Sequence, residues 1–284
     1  MFRIFGYLWR WAFPQPWRQS STWDIETMKK EVMKEEEEKQ INVLILGPVG
    51  AGKSSFINSI ISIVKNRQYG MAAAHGKFTK SWTKTLDEYR CRNLRLFDCV
   101  GVAQTEEEGF LIDDLLFLIK GNIMEGYVFD PVKSIKQNGE EGKRFFKDEP
   151  GLNDQMHCVI FIVDSTSINS TISDELVEKI DNLQVKLCDE HIPRILILTK
   201  VDKLCDMVAN NIKNVFRSRA VQQIVKTASE KFGIEEASIH PVKNYVDDFD
   251  ILNEMNIPLL IALRQAKNYA EDRIEYFLQH KEGQ

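Results

Sequence analysis

Ile41-Asn-Val-Leu-Ile-Leu46 runs directly into Gly47-Pro-Val-Gly-Ala-Gly-Lys-Ser54, and these 14 residues are the strongest indication of the fold. The first part is a short apolar run, which is typical of a strand buried on both faces of a parallel sheet. The second part matches the pattern G-x-x-x-x-G-K-S in full, and Lys53 to Val64 has the apolar spacing of a helix. A strand, a glycine-rich loop and a helix in this order predict a phosphate-binding loop (P-loop).

The residue types in this loop suit the binding of a polyphosphate. Glycines let successive N–H groups point at phosphate oxygens, and the helix N-terminus adds its dipole. We expect Lys53 to bridge the β- and γ-phosphates as a catalytic residue, and the Ser54 hydroxyl to ligate Mg²⁺. The predicted nucleotide-binding positions of the loop are Gly47, Val49, Gly50, Ala51, Gly52, Lys53, Ser54 and Ser55.

A second motif follows the strand-like segment Leu94 to Phe97, which leads into Asp98-Cys-Val-Gly101, a D-x-x-G pattern. After a strand and behind a P-loop, this pattern is typical of GTP-binding proteins. Asp98 is predicted to hold Mg²⁺ through water, and the Gly101 N–H is predicted to sense the γ-phosphate.

A third motif selects the base. The strand-like segment Ile195 to Leu198 leads into Thr199-Lys200-Val-Asp202, a T-K-x-D pattern. The Asp202 carboxylate can accept hydrogen bonds from N1–H and from the 2-amino group of guanine, while the Lys200 stem packs across the base. Adenine would leave this carboxylate unpaired, so a P-loop kinase or ATPase is the less favoured alternative. The expected ligands are therefore GTP or GDP, with Mg²⁺.

The last predicted strand, Ser238 to Val242, contributes a weaker signal. Main-chain N–H groups near Val242 and Lys243 lie where they are expected to read the guanine O6. The first switch should supply a threonine to Mg²⁺, and the candidates in the sequence are Thr79, Thr83 and Thr85. We favour Thr83, as a metal ligand and catalytic residue.

The residues that promote hydrolysis in many GTPases are not in their usual places. The position directly after D-x-x-G, where a glutamine orients the attacking water, is Val102, and Gln104 lies two residues further on. Val49 replaces a small loop residue and would crowd an arginine finger. We expect a slow GTPase that relies on Gln104, a main-chain-positioned water or a second subunit. A GTP-binding scaffold without hydrolysis is the alternative.

Composition excludes several other classes. The chain has 284 residues, 43% of them hydrophobic and 28% charged, as in ordinary globular proteins. Its 37 Lys and Arg against 42 Asp and Glu give a net charge of −5, which argues against nucleic acid as a partner. The five scattered cysteines include no C-x-x-C pair, which predicts reduced thiols and a cytoplasmic protein. No apolar run reaches the roughly 18 residues that span a bilayer.

Strands and helices alternate in the predicted pattern, which favours an α/β fold: a P-loop G domain with a mostly parallel central sheet flanked by helices. An extra N-terminal helix (24–40) and C-terminal helices are expected. Arg92-Asn93 suits a hairpin turn, and residues 133–153 read as an exposed loop. We expect a GTP-binding domain over residues 24–284, with an insertion at about 103–156, after an aromatic arm at residues 1–23.

Partners are harder to predict from the sequence. The arm combines aromatic side chains with Arg3 and Arg10, so membrane contact is one hypothesis and packing on the G domain is the other. A homodimer across the nucleotide face is compatible with the motifs, although no residue demonstrates it. Protein partners stay unknown.

Five segments of the sequence have a recognisable pattern: Gly47–Phe56, Pro16–Arg18 ahead of the acidic helix, Asp113–Ile123, Phe129–Pro131 and Pro241–Tyr245. Together they resemble the interferon-induced protein 44-like family over about residues 14 to 280. The P-loop is shared by many families, so the later segments carry the specificity. The resemblance implies a cytoplasmic, GTP-binding protein made during interferon responses, with a role in antiviral defence or its restraint.

Overall fold

Strands and helices alternate along the chain in the computed structural model, which describes residues 15–19, 24–32, 40–72, 85–99, 101 and 111–281. The strands of this part are β1 (Ile41–Leu46), β2 (Asp87–Cys91), β3 (Leu94–Asp98), β4 (Cys158–Asp164), β5 (Arg194–Thr199) and β6 (Ile239–Pro241). Its α-helices are α1 (Ile25–Val32), α2 (Lys53–Lys65), α3 (Ile112–Ile119), α4 (Gly139–Phe145), α5 (Asp174–Asp189), α6 (Asp206–Asn210), α7 (Arg219–Phe232) and α8 (Asn253–Lys281).

The strands form one sheet in the order β2-β3-β1-β4-β5-β6. All neighbouring pairs are parallel except β2–β3, and β1, β4 and β5 are buried almost throughout because helices cover both faces. The predicted α/β fold with a mostly parallel sheet is confirmed. Because β1 pairs with β3 on one side and β4 on the other, the loop after β1 lies at the switch point where such sheets bind ligands.

The hairpin predicted at Arg92-Asn93 is confirmed. Arg92 adopts a positive φ of 58°, and β2 and β3 pair antiparallel on either side of the turn, with Cys91 opposite Leu94. The front helix is confirmed over Ile25–Val32, where it packs along α8, while residues 33–39 lie outside the described part.

The interpretation of residues 133–153 as an exposed loop is wrong in part. This segment contains a 3-10 turn at Ile135–Gln137 and helix α4. The turn is held by the buried Asp114 of α3, whose carboxylate accepts hydrogen bonds from Ser134 Oγ at 2.6 Å and from the Ile135 N–H at 3.0 Å. Such tertiary hydrogen bonds leave no periodic apolar pattern in the sequence, so the segment was not recognisable as helical.

Part of the N-terminal arm contacts the rest of the molecule. The Trp17 N–H donates to Phe216 O at 2.8 Å, and the Arg18 guanidinium donates to Ile239 O at 2.6 Å and stacks on the Trp17 ring. Residues 1–14 lie outside the described part, so membrane contact through them stays a prediction. None of the helices that the structure describes is long and apolar enough to cross a membrane.

A buried histidine makes stability depend on pH. His157 is fully buried; its Nδ1 accepts from the Asn42 N–H, and its Nε2 lies 2.9 Å from Leu152 O. Burial lowers the pKa of His157 from 6.5 to about 4. Between these values the unfolded chain binds a proton that the folded chain does not, so the free energy of unfolding falls as the pH falls from 6.5 towards 4.

We expect His157 to account for about 2 kcal/mol of stability lost between pH 7 and pH 5, at roughly 1.4 kcal/mol per pKa unit. Urea unfolding at the two pH values checks this. The loss should be smaller in His157→Gln and unchanged in His280→Gln, which alters an exposed histidine. Equal losses in both variants would contradict the assignment.

Candidate nucleotide-binding site

The P-loop joins β1 to α2 and bends sharply because of its glycines. Gly47, Gly50 and Gly52 have φ values of 147°, 77° and 97°. A Cβ at Gly47 would lie 2.0 Å from the Ile162 carbonyl oxygen of β4, so the loop leaves the sheet where only glycine fits. The glycines therefore fix the path of the loop, as the sequence predicts.

Gly47→Ala should cost about 3–5 kcal/mol of stability, because a left-handed φ and a clash with backbone add together. Gly50→Ala is the matched control, since its φ is also positive but nothing lies within 4 Å of the added Cβ. It should cost only about 1 kcal/mol. Urea unfolding of the two variants compares them, and equal costs would count against the close approach of Gly47 to β4.

Lys53 is buried at the start of α2 with its ammonium turned into the loop. Its Nζ donates to Gly47 O at 3.0 Å and to Pro48 O at 3.2 Å. Burial lowers the pKa of Lys53, although the nearby Asp98 opposes the shift. The two carbonyls hold the ammonium at the centre of the loop, where it can face a phosphate.

Ser54 and Asp98 meet beside this lysine. The Ser54 hydroxyl donates to Asp98 Oδ2 at 2.8 Å, which brings the first and second motifs together. Asp98 is almost fully buried, and its Oδ1 has no hydrogen-bond partner among the described residues. Burial raises the pKa of Asp98, while the charge of Lys53 and the Ser54 hydrogen bond oppose this. A hydroxyl and a carboxylate with an unused oxygen are ligands that suit Mg²⁺.

Gly101 lies against the phosphate loop. A Cβ placed on it would be 3.0 Å from Val49 Cγ2 and 3.2 Å from Lys53 Nζ. The D-x-x-G motif therefore reaches the lysine on which a γ-phosphate is expected. Any larger residue at position 101 would press on that lysine.

Of the three candidate switch threonines, the structure describes only Thr85. Thr83 and Gln104 lie outside the described residues, as do Thr79 and Val102, so their predicted roles stay predictions. Thr85 is described, and its hydroxyl donates to Asp87 Oδ1 at 2.8 Å, beside β2.

The T-K-x-D segment is tied to the phosphate loop by its first two side chains. Thr199 Oγ1 donates to Ala51 O at 2.6 Å. Lys200 has a positive φ of 57°, and its Nζ donates to Gly50 O at 2.9 Å and to Asp164 Oδ2 at 2.5 Å. Burial alone would raise the pKa of Asp164, but the hydrogen bonds from Lys200 and Thr166 lower it overall. The base-reading and phosphate-binding segments thus form one hydrogen-bonded unit.

Asp202 lies in a 3-10 turn after β5 and is half-buried; within the described residues its side chain forms no hydrogen bond or ion pair, so both carboxylate oxygens are available. The Val242 N–H, by contrast, donates to Leu198 O at 2.8 Å as part of the sheet. It is therefore occupied, whereas the N–H groups of Lys243 and Asn244 form no main-chain hydrogen bond within the described residues. Ser55, the last predicted loop residue, bonds through its carbonyl to Ser59 Oγ.

Two residues of the site are not predicted by any of the sequence motifs. Asp164 holds Lys200, and Asn244 Nδ2 donates to Gly52 O at 3.1 Å while its Oδ1 is buried without a partner in the described part. Asp164 ends an apolar strand, and the carboxyl ends of parallel strands share one edge, so its position was a usable signal. Asn244 follows the last strand by a few residues and had no distinguishing pattern.

Comparison with known families agrees with this geometry. The family model described as 50S ribosome-binding GTPase matches residues 42–200. Two solved structures are also similar: a probable GTP-binding protein engB, at 15% identity over 79% of this chain and 99% of that one (TM-score 0.39), and a small COPII coat GTPase from Encephalitozoon cuniculi in complex with GDP, at 14% identity over 91% and 90% (TM-score 0.42). Because both TM-scores are below 0.5, the fold assignment rests on the family match and the strand order.

Curated relatives share a longer stretch. Human interferon-induced protein 44 is 29% identical over 84% of this chain and 54% of its own length. Human interferon-induced protein 44-like is 30% identical over 83% and 53%, and the mouse protein 44 is 29% identical over 84% and 56%. The chain spans about half the length of these relatives. Because the family match covers more than half of the chain, the protein belongs to this GTPase family, and its resemblance to the interferon-induced protein 44-like proteins is confirmed.

Proposed function

We propose that this protein is a guanine-nucleotide switch that binds GTP with Mg²⁺ and hydrolyses it slowly, in the innate immune response to viruses. The observation that carries the proposal is the joining of three motifs by direct hydrogen bonds. Ser54 donates to Asp98, and Thr199 donates to Ala51. The residues proposed to bind phosphate, metal and base therefore lie together at the carboxyl edge of one sheet.

Different groups of the chain would bind the phosphates, the metal and the base. The loop N–H groups and Lys53 would face the phosphates, and the Lys53 Nζ, already held by two carbonyls, would need little reorganisation to donate a hydrogen bond to a phosphate oxygen. Ser54 and Asp98 would hold Mg²⁺, which neutralises charge on the phosphates when bound. Asp202, Lys243 and Asn244 would read the guanine edge.

Slow hydrolysis follows from what replaces the usual water-orienting group. Val102 has no polar side chain, and Val49 packs against the position of Gly101, which narrows the approach of an external arginine. Turnover then depends on Gln104, on a main-chain-positioned water or on a second subunit. A homodimer across the nucleotide face would supply the last of these.

The biological setting is inferred from the relatives. Two of them are named interferon-induced protein 44 and 44-like, which supports an interferon-linked role. Because this chain spans about half of their length, that role belongs to the proposal and not to the family assignment.

Phosphate release from GTP, followed over hours at several protein concentrations, tests the proposal. We expect slow release of phosphate, and we expect Lys53→Ala to abolish it. The same variant is the control for contaminating GTPase activity. Release per molecule that rises with concentration would indicate catalysis across a dimer. GTP binding without release at any concentration would contradict the switch and favour the alternative, a GTP-binding scaffold.

A further inference from the structure

A cavity of about 390 Å³ lies on the opposite edge of the sheet from the phosphate loop. It is bordered by the C-terminal ends of α3 and α5, by the segment leading into β4, and by α8. These segments lie at the amino ends of the parallel strands, whereas the nucleotide motifs lie at the carboxyl ends. The cavity is therefore separate from the proposed nucleotide site. It is large enough for a small organic ligand.

Arg273 lines this cavity. Arg273 is only 6% exposed, and its Nε and Nη1 are buried with no hydrogen-bond partner in the described part of the chain. The guanidinium carbon lies 4.5 Å from the centroid of the Phe277 ring, as in a cation–π contact. A buried cation with unused N–H donors is costly, and an oxyanion is the ligand that best satisfies it.

The nearby Glu190 carboxylate does not act as the oxyanion partner of Arg273. Glu190 Oε1 forms an ion pair with Lys120 Nζ at 2.8 Å, and it forms none with Arg273 within 4 Å. Lys120 and Arg273 against Glu190 leave one net positive charge on the cavity wall. Burial lowers the pKa of Arg273 to about 10, which still leaves the guanidinium charged at neutral pH.

The remaining wall defines the rest of the ligand. Phe277 supplies apolar surface next to the guanidinium, and Asn122 supplies an amide. We propose that this cavity binds a small organic carboxylate, with its carboxylate on Arg273 and its apolar part against Phe277. The proposal stands apart from the nucleotide function, because no residue of the phosphate loop lines the cavity.

Benzoate is the probe, because it joins a carboxylate to an apolar ring, and neutral benzamide is its matched control. Binding to the full chain is measured by thermal shift and by titration at constant ionic strength. We expect benzoate, and not benzamide, to raise the melting temperature. Arg273→Met should weaken benzoate binding by about tenfold or more, since it removes hydrogen bonds to a charged group. Arg264→Met, on the same helix but ion-paired with Glu31, should leave binding unchanged.

Two half-exposed positions keep the test decisive if Arg273→Met does not fold. Glu190→Gln should tighten benzoate binding by about threefold, because it removes a negative charge beside the ligand. Lys120→Met should weaken it by a similar factor, because the released Glu190 then competes for Arg273. Equal responses to benzoate and benzamide would overturn the proposal. So would benzoate binding that Arg273→Met, Glu190→Gln and Lys120→Met leave unchanged.

Discussion

Lys53→Ala should reduce GTP affinity by at least about 100-fold, because two charge-assisted hydrogen bonds to phosphate at roughly 1.5–3 kcal/mol each are lost. In the structure the Lys53 Nζ is held by Gly47 O and Pro48 O, and no other cation lies among the described P-loop residues 47–54. The loop N–H groups alone would remain to bind the phosphates. The stabilisation that GTP gives to the wild-type protein should disappear with the affinity.

Thermal unfolding with and without GTP and Mg²⁺ measures this effect. Lys65→Ala is the matched control, because Lys65 closes the same helix and contacts Tyr69 instead of the loop. The control should keep the full shift. If Lys53→Ala kept it as well, the loop would not hold the nucleotide as proposed.

Asp202→Asn should change the base that the protein prefers. The Asp202 carboxylate is free of partners in the described residues, so it can accept two hydrogen bonds from guanine. An amide replaces one acceptor by a donor, which mispairs with guanine and pairs with the 2-oxo group of xanthine. GTP affinity should fall by about 1,000-fold while xanthosine triphosphate affinity rises, as expected where a buried polar pair is broken.

Competition binding with the two nucleotides measures this exchange. Asp206→Asn changes an exposed carboxylate a few residues further on and should leave both affinities unchanged. Unaltered GTP affinity in Asp202→Asn would mean that another group reads the base.

The sequence predicts those parts of the site in which residue type and backbone shape are coupled. Gly47 is required because a Cβ would meet Ile162 O, and Asn93 is a common turn residue between two strand-like segments. Each requirement restricts which residue types can stand at that position and at the positions next to it. That is why the strand, loop and helix around the phosphate loop are readable without the structure.

Contacts between segments that are far apart in the sequence produce no such local pattern. Asp164 meets Lys200, and Asn244 meets Gly52, through folding of the whole sheet. Whether the Val242 N–H is free depends on where β6 stops pairing with β5, and strand ends are set by packing. Nothing in the sequence around Arg273 predicts that its Nε and Nη1 lack hydrogen-bond partners in the described part of the chain.

Calorimetric titration of the purified chain with GTP and with ATP, each with Mg²⁺, measures whether the site selects guanine. GTP should bind with an affinity at least about 100-fold higher than ATP, because Asp202 pairs with guanine and is left unpaired by adenine. Equal affinities, or tighter binding of ATP, would contradict it.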